Sequence, residues 1–75
     1  MGADEGQQLY KFEQIRDMII HKIENGGFKK NNKLPSIATV CETYGLSKVT
    51  IGRAYMHLKK RDYIYYEPGK GHFVR

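Results

Sequence analysis

Two short segments hold the side chains best suited to chemistry. Ser47-Lys48-Val49-Thr50-Ile51-Gly52-Arg53 gathers two cations and two hydroxyls around a valine. Lys48 and Arg53 can donate to guanine O6 and N7 or to phosphate, Ser47 and Thr50 can hydrogen-bond to bases or backbone, and Val49 can meet a thymine methyl. Further on, Gly69-Lys70-Gly71-His72 sets one lysine between two glycines. Glycines expose backbone N–H groups that can donate to phosphate oxygens, and Lys70 and His72 can reach phosphate or minor groove. Other chemistries find little support. Cys41 is the single cysteine, and His21, His57 and His72 stand far apart. That pattern gives no metal-ligand spacing and no disulfide, which suits a reducing cytoplasm. No Cys-His pair, Ser-His-Asp arrangement or phosphate loop is present. The residues therefore imply binding rather than catalysis, with no metal and no cofactor.

The charge agrees. The chain has 75 residues and a formal net charge of +5. Residues 1–30 hold five basic and five acidic side chains, whereas residues 31–75 hold eight basic and three acidic. The whole excess lies in the second part, an electrostatic footprint of polyanion binding. No apolar run approaches the roughly 18 residues of a membrane span.

The elements that must position these residues can be read from the periodicity. Phe12, Ile15, Ile19 and Ile23 recur at three- and four-residue spacing, predicting an amphipathic helix from about Leu9 to Asn25. Gly26-Gly27 stops it. Residues 28–33 form a polar connector around Phe28, and Asn31-Asn32 tolerate a positive φ. Leu34-Pro35-Ser36 opens a second helix with Ser36 as N-cap. Its apolar face is Ile37, Val40, Cys41 and Tyr44, and Gly45 ends it. Leu46 is an apolar hinge. Ser47 caps a third helix that runs to about Arg61. Two short helices joined by a glycine-containing turn make a helix-turn-helix. Tyr63-Ile64-Tyr65-Tyr66 is β-prone, 67–71 is turn chemistry, and His72-Phe73-Val74 is a second strand. The hairpin follows the third helix directly and so forms a wing. The fold class is mainly α with a small β-hairpin, a winged helix-turn-helix of three helices and a two-stranded wing.

At about 100° per residue the third helix divides into faces. Ile51, Ala54, Tyr55 and Leu58 form a core face. Val49, Arg53, Met56 and Lys60 lie opposite, and Lys48, Thr50 and Gly52 flank that exposed side near the N-terminal end. A recognition helix offers its N-terminal residues to base edges in the major groove. Tyr44, Tyr55 and the tyrosines of 63–66 are read as core and strand residues, not as a stacking platform.

The order of motifs resembles the N-terminal domain of GntR-family transcriptional regulators. The resemblance rests on Tyr10 through Ile23, Leu34-Pro35-Ser36, Leu46-Ser47-Lys48-Val49-Thr50-Ile51 and Gly69-Lys70-Gly71-His72-Phe73-Val74, and covers about residues 9–75. It implies DNA contacts at Ser47, Lys48, Thr50 and the wing from Gly69 to Gly71. Two positions where the family often has arginine are Ala38 and Gly52 here. A glycine inside a helix costs roughly 1 kcal/mol relative to alanine, and close approach of a phosphate would give it a purpose.

The expectation is a disordered tail over 1–8 and a DNA-binding domain over 9–75. Helix 47–61 would sit in the major groove and wing 67–72 on the backbone or minor groove. The candidate contacts are Ser36, Ser47, Lys48, Val49, Thr50, Gly52, Arg53, Gly69, Lys70 and Gly71. The expected partner is a near-palindromic double-stranded operator, bound in the cytoplasm and without a membrane. The resemblance further implies homodimerisation and effector binding through a C-terminal domain that these residues do not include, so the 75-residue chain is expected to be mostly monomeric. The alternative is a winged-helix module that binds protein without DNA specificity, and a remoter one binds RNA.

Overall fold

The computed structural model describes residues 2–75, with side chains from residue 11 onward. Helix α1 runs Gly2–Glu24, α2 Ile37–Tyr44 and α3 Lys48–Lys60, followed by strands β1 Ile64–Glu67 and β2 Gly71–Val74. The strands pair antiparallel, with Ile64 opposite Val74 and Glu67 opposite Gly71. This is the expected winged helix-turn-helix, mainly helical with a two-stranded hairpin.

The local signals act where the sequence places them. Ser36 and Ser47 each accept a hydrogen bond from the backbone N–H three residues on, at Thr39 and Thr50. That satisfies an N–H which the start of a helix leaves without an intrahelical partner. Gly45 takes the left-handed conformation, with φ 65°, and closes α2 by donating to the Cys41 carbonyl. In the hairpin turn, Lys70 N–H donates to Glu67 O at 3.0 Å across Pro68 and Gly69. Gly69 has φ 77°, which is the third position of a type II turn, with proline in its usual place before it.

The core lies where the three helices meet the base of the hairpin. Phe12, Ile15 and Ile19 of α1, Leu34, Val40, and Ile51, Ala54, Tyr55 and Leu58 of α3 are buried together with Ile64 and Val74. Met18, Ile20, Ile23, Phe28, Ile37, Cys41, Leu46 and Tyr63 pack around them half-buried. Tyr55 crosses this core, and its hydroxyl donates to the Pro35 carbonyl at 2.6 Å. The start of α2 is thereby tied to the middle of α3. Among the described residues no helix is long and apolar enough to cross a membrane.

Three features differ from the sequence expectation. Helix α1 starts at Gly2, so residues 2–8 are helical where a disordered tail is expected, and Met1 lies outside the described residues. The segment has no proline, and Ala3, Glu5, Gln7 and Gln8 are good helix formers. The backbone therefore continues the helix upstream of the first core contact at Phe12. Tyr44, expected on the core face of α2, is 46 % exposed. It ends an eight-residue helix and lies along α1, where its hydroxyl meets the Met18 sulfur at 3.4 Å. Thr50 is buried, not exposed, and it matters for the site.

Candidate nucleic-acid interface

Helix α3 carries two chemically opposite faces. Ile51, Ala54, Tyr55 and Leu58 are closed to solvent, which fixes the rotation of the helix on the core. Lys48, Arg53, Met56 and Lys60 are then turned outward, and Val49 is 67 % exposed. An apolar side chain that protrudes so far contributes little to the core, since little among the described residues covers it. Gly52 lies on the same side, between Lys48 and Met56 around the helix, and a Cβ built there would meet no atom within 4 Å.

Thr50 departs from the expected set. It is only 3 % exposed, its Oγ1 lies 3.0 Å from Ser47 Oγ, and its N–H donates to that same oxygen at 3.2 Å. Its hydroxyl is thus drawn into the helix start. The start of α2 repeats the arrangement, with Ser36 Oγ 2.9 Å from Thr39 Oγ1. Both serines are exposed while serving as caps.

The wing is fastened to α3 by aromatic contacts. His72 meets Tyr55 edge-on with ring centres 4.9 Å apart, and meets Tyr66 at the same separation. Lys59 of α3 places its ammonium 5.8 Å from the Tyr66 ring centre, an attractive cation–π geometry. Burial, and secondarily the positive charge of Lys59, hold the His72 imidazole below its ordinary pKa. Burial, with a smaller contribution from Cys41, pushes the Tyr55 phenol up to about 12.

At the wing tip Gly69 and Lys70 are exposed and Gly71 is half-buried. Lys70 Nζ stands 3.9 Å from Glu67 Oε2. The connector before α2 runs alongside β2. Asn31 N–H donates to Val74 O, Val74 N–H to Asn32 O, and Leu34 N–H to His72 O, at 2.8 to 2.9 Å. Lys33 stands opposite Phe73 in this pairing.

The structure thus presents Ser47, Lys48, Val49, Gly52 and Arg53 together on one helix, and Gly69, Lys70 and Gly71 together on the hairpin. Ser36 caps the neighbouring helix, and Thr50 is withdrawn. Lys33, outside the expected set, comes beside Gly71; its signal in the sequence is a lysine run at 29, 30 and 33 with no acid between Glu24 and Glu42. Among the described residues no group of three or more His, Cys, Asp or Glu is placed to hold a metal ion.

Comparison with known proteins gives consistent matches. The family model for bacterial regulatory proteins of the gntR family matches residues 11–74. The HTH-type transcriptional regulator YurK of Bacillus subtilis is 31% identical over 62 residues, which are 83% of this chain and 26% of YurK. The chain therefore spans about a quarter of that relative's length. The AraR DNA-binding domain in complex with operator ORR3 superposes with a TM-score of 0.83 at 28% identity, covering 87% of this chain and 78% of AraR's. YtrA of Sulfolobus acidocaldarius, a GntR-family transcription factor, superposes with a TM-score of 0.81 at 31% identity, covering 85% of this chain and 67% of YtrA.

Proposed function

The chain belongs to the GntR family of bacterial regulatory proteins, and from that premise we propose that it reads double-stranded DNA through the exposed face of α3. The observation that carries this reading is the outer stripe of that helix. Val49, Arg53, Met56 and Lys60 combine protruding apolar groups with cations on a helix whose opposite face is fully buried. A helix held in that way can enter a major groove as a rigid element. Arg53 and Lys48 then donate to base edges or phosphates, and Val49 meets a thymine methyl. Ser36 and Ser47, at the starts of α2 and α3, are placed for backbone contacts, which position a protein without reading sequence. The wing of Gly69, Lys70 and Gly71 takes the flanking backbone or minor groove.

The similarity to the AraR domain, whose structure contains operator DNA, supports the same use of this surface. A cytoplasmic location follows from a DNA-binding role. In a longer regulator, two such domains held together by a dimerising, effector-binding region would engage a near-palindromic site. Each half-site would then gain from the high effective concentration set by the other.

The test is selection of bound sequences from random duplex DNA, followed by a salt titration of the selected duplex. Enrichment of one sequence class is expected. Affinity should fall steeply with salt, since log K declines by about 0.9 per neutralised phosphate for each decade of salt. No enrichment and no salt dependence would instead identify a protein-binding winged helix.

A further inference from the structure

We propose that the principal phosphate contact of the wing is Lys33, supplied by the connector before α2, and not Lys70 of the wing itself. This rests on the DNA-binding reading above and assigns a further contact within it.

The placement of Lys33 is fixed by backbone pairing. Residues 31–34 run antiparallel to β2, bonded to it on both sides of Lys33 through Asn32 with Val74 and Leu34 with His72. The connector therefore behaves as a third, partial strand of the wing. From opposite Phe73 the Lys33 side chain extends toward the hairpin tip. Its Cε comes within 3.3 Å of where a Cβ on Gly71 would stand. The ammonium is one bond further and so lies near the first residue after the turn. Gly71 leaves room for that stem and also adopts φ +120°, which side-chain-bearing residues rarely take.

The electrostatics separate the two lysines. Lys70 faces Glu67 of the same turn at 3.9 Å, and both groups are well exposed. Within 67–71 the only charges are that pair, so the tip contributes no net charge. Lys33 has no ion-pair partner among the described residues. Of the two lysines nearest the tip, a phosphate thus meets only Lys33 without a carboxylate partner among the described residues, and it comes from a segment more than thirty residues away. Lys33 is also the better prepared of the two. A lysine loses side-chain freedom when it is immobilised on a phosphate, and a stem that lies along Gly71 has less of it to lose than one in open solvent.

The experiment measures duplex affinity across salt for the 75-residue chain and the variants Lys33→Gln, Lys33→Arg and Lys70→Gln. Each is tested on a selected duplex and on an unrelated one. Lys33→Gln keeps most of the stem and removes the charge. Its salt slope should flatten by about one unit, with affinity reduced about eightfold near 0.1 M salt, alike on both duplexes. Lys33→Arg should restore the slope, and Lys70→Gln should change it less than Lys33→Gln does. Melting temperatures of all variants should match the parent, which separates lost contact from lost fold. A parental slope in Lys33→Gln, or a larger effect from Lys70→Gln, overturns the proposal while leaving DNA binding intact. A loss confined to the selected duplex also overturns it, because Lys33 would then read bases. A parent chain that binds neither duplex overturns the DNA-binding reading and this proposal with it.

Discussion

Replacing Gly52 by alanine should move stability and DNA affinity in opposite directions. Gly52 lies in the second turn of α3, where glycine costs roughly 1 kcal/mol relative to alanine through its unfolded-state freedom. The usual reason to keep it would be a neighbour that a Cβ strikes, and here, its own turn of helix aside, no atom of the described residues lies within 4 Å. The free chain should therefore gain about 1 kcal/mol, which for a domain of this size raises the midpoint of thermal unfolding by roughly 4–8 °C. Around the helix Gly52 falls between Lys48 and Met56, inside the stripe assigned to DNA. If the glycine allows base edges or backbone to approach the helix closely, an added methyl displaces that contact. The expected loss of specific affinity is roughly tenfold, about 1.4 kcal/mol, within the range of a single base contact. Thermal circular dichroism gives the first quantity and fluorescence anisotropy on a selected duplex the second. A melting point that does not rise would refute the open-space argument. A rise accompanied by unchanged or tighter binding would refute the placement of Gly52 in the interface.

Arg53→Ala should weaken specific binding by roughly 1–3 kcal/mol with little change in melting temperature, since the side chain is exposed; equal binding by the variant would make Arg53 ordinary surface charge. Tyr55→Phe removes the donor to the Pro35 carbonyl and should cost about 1 kcal/mol of stability in denaturant titration. Because the Tyr55 phenol is pushed up to about 12 in the fold, the parent should lose stability as pH rises from 10 toward 12, and the variant should lose less. His72 gives the opposite sign. Its folded pKa is held below the ordinary 6.5 by burial first and Lys59 second, so the unfolded chain takes up the proton first. The stability it contributes above 6.5 should be lost as pH falls through the folded value, and His72→Gln should flatten that decline in melting temperature.

The parts of this fold that were legible in the sequence are those decided by neighbours along the chain. Ser36, Ser47 and Gly45 act on backbone groups within four residues, so the bounds of α2 and α3 follow from residue type and spacing. Ile51, Ala54, Tyr55 and Leu58 all emerge buried because a helix of known period leaves them one side to bury. Tyr44 fits the same period yet stays 46 % exposed. Periodicity names a face but not how far a neighbouring helix extends over it. The start of α1 was illegible for a related reason. The apolar pattern marks where the core begins, at Phe12, whereas helix propensity carries the backbone further upstream.

At two residues the structure departs from what the motifs suggest, and the two departures share a cause. Helical periodicity sets Thr50 with Lys48 and Gly52 at the edge of the exposed face, and the family resemblance makes it a contact. In the fold its hydroxyl turns back to Ser47, as Thr39 turns to Ser36, so a serine three residues ahead of a threonine at a helix start signals a shared cap before it signals a contact. Lys33 stands in a connector, outside both motifs. Only the pairing of residues 31–34 with β2 brings it to Gly71. A binding surface is selected by where side chains end, and that is set by long-range pairing as much as by the motif that announces the fold. Of the two charges at the hairpin tip's edge, the one written into the wing is balanced by Glu67, and the one carried in from the connector is not. The contact proposed for Lys33 is therefore a product of tertiary structure. Variants at Lys33 and Lys70 distinguish the two sources directly, because they alter the same patch of potential from different segments of the chain.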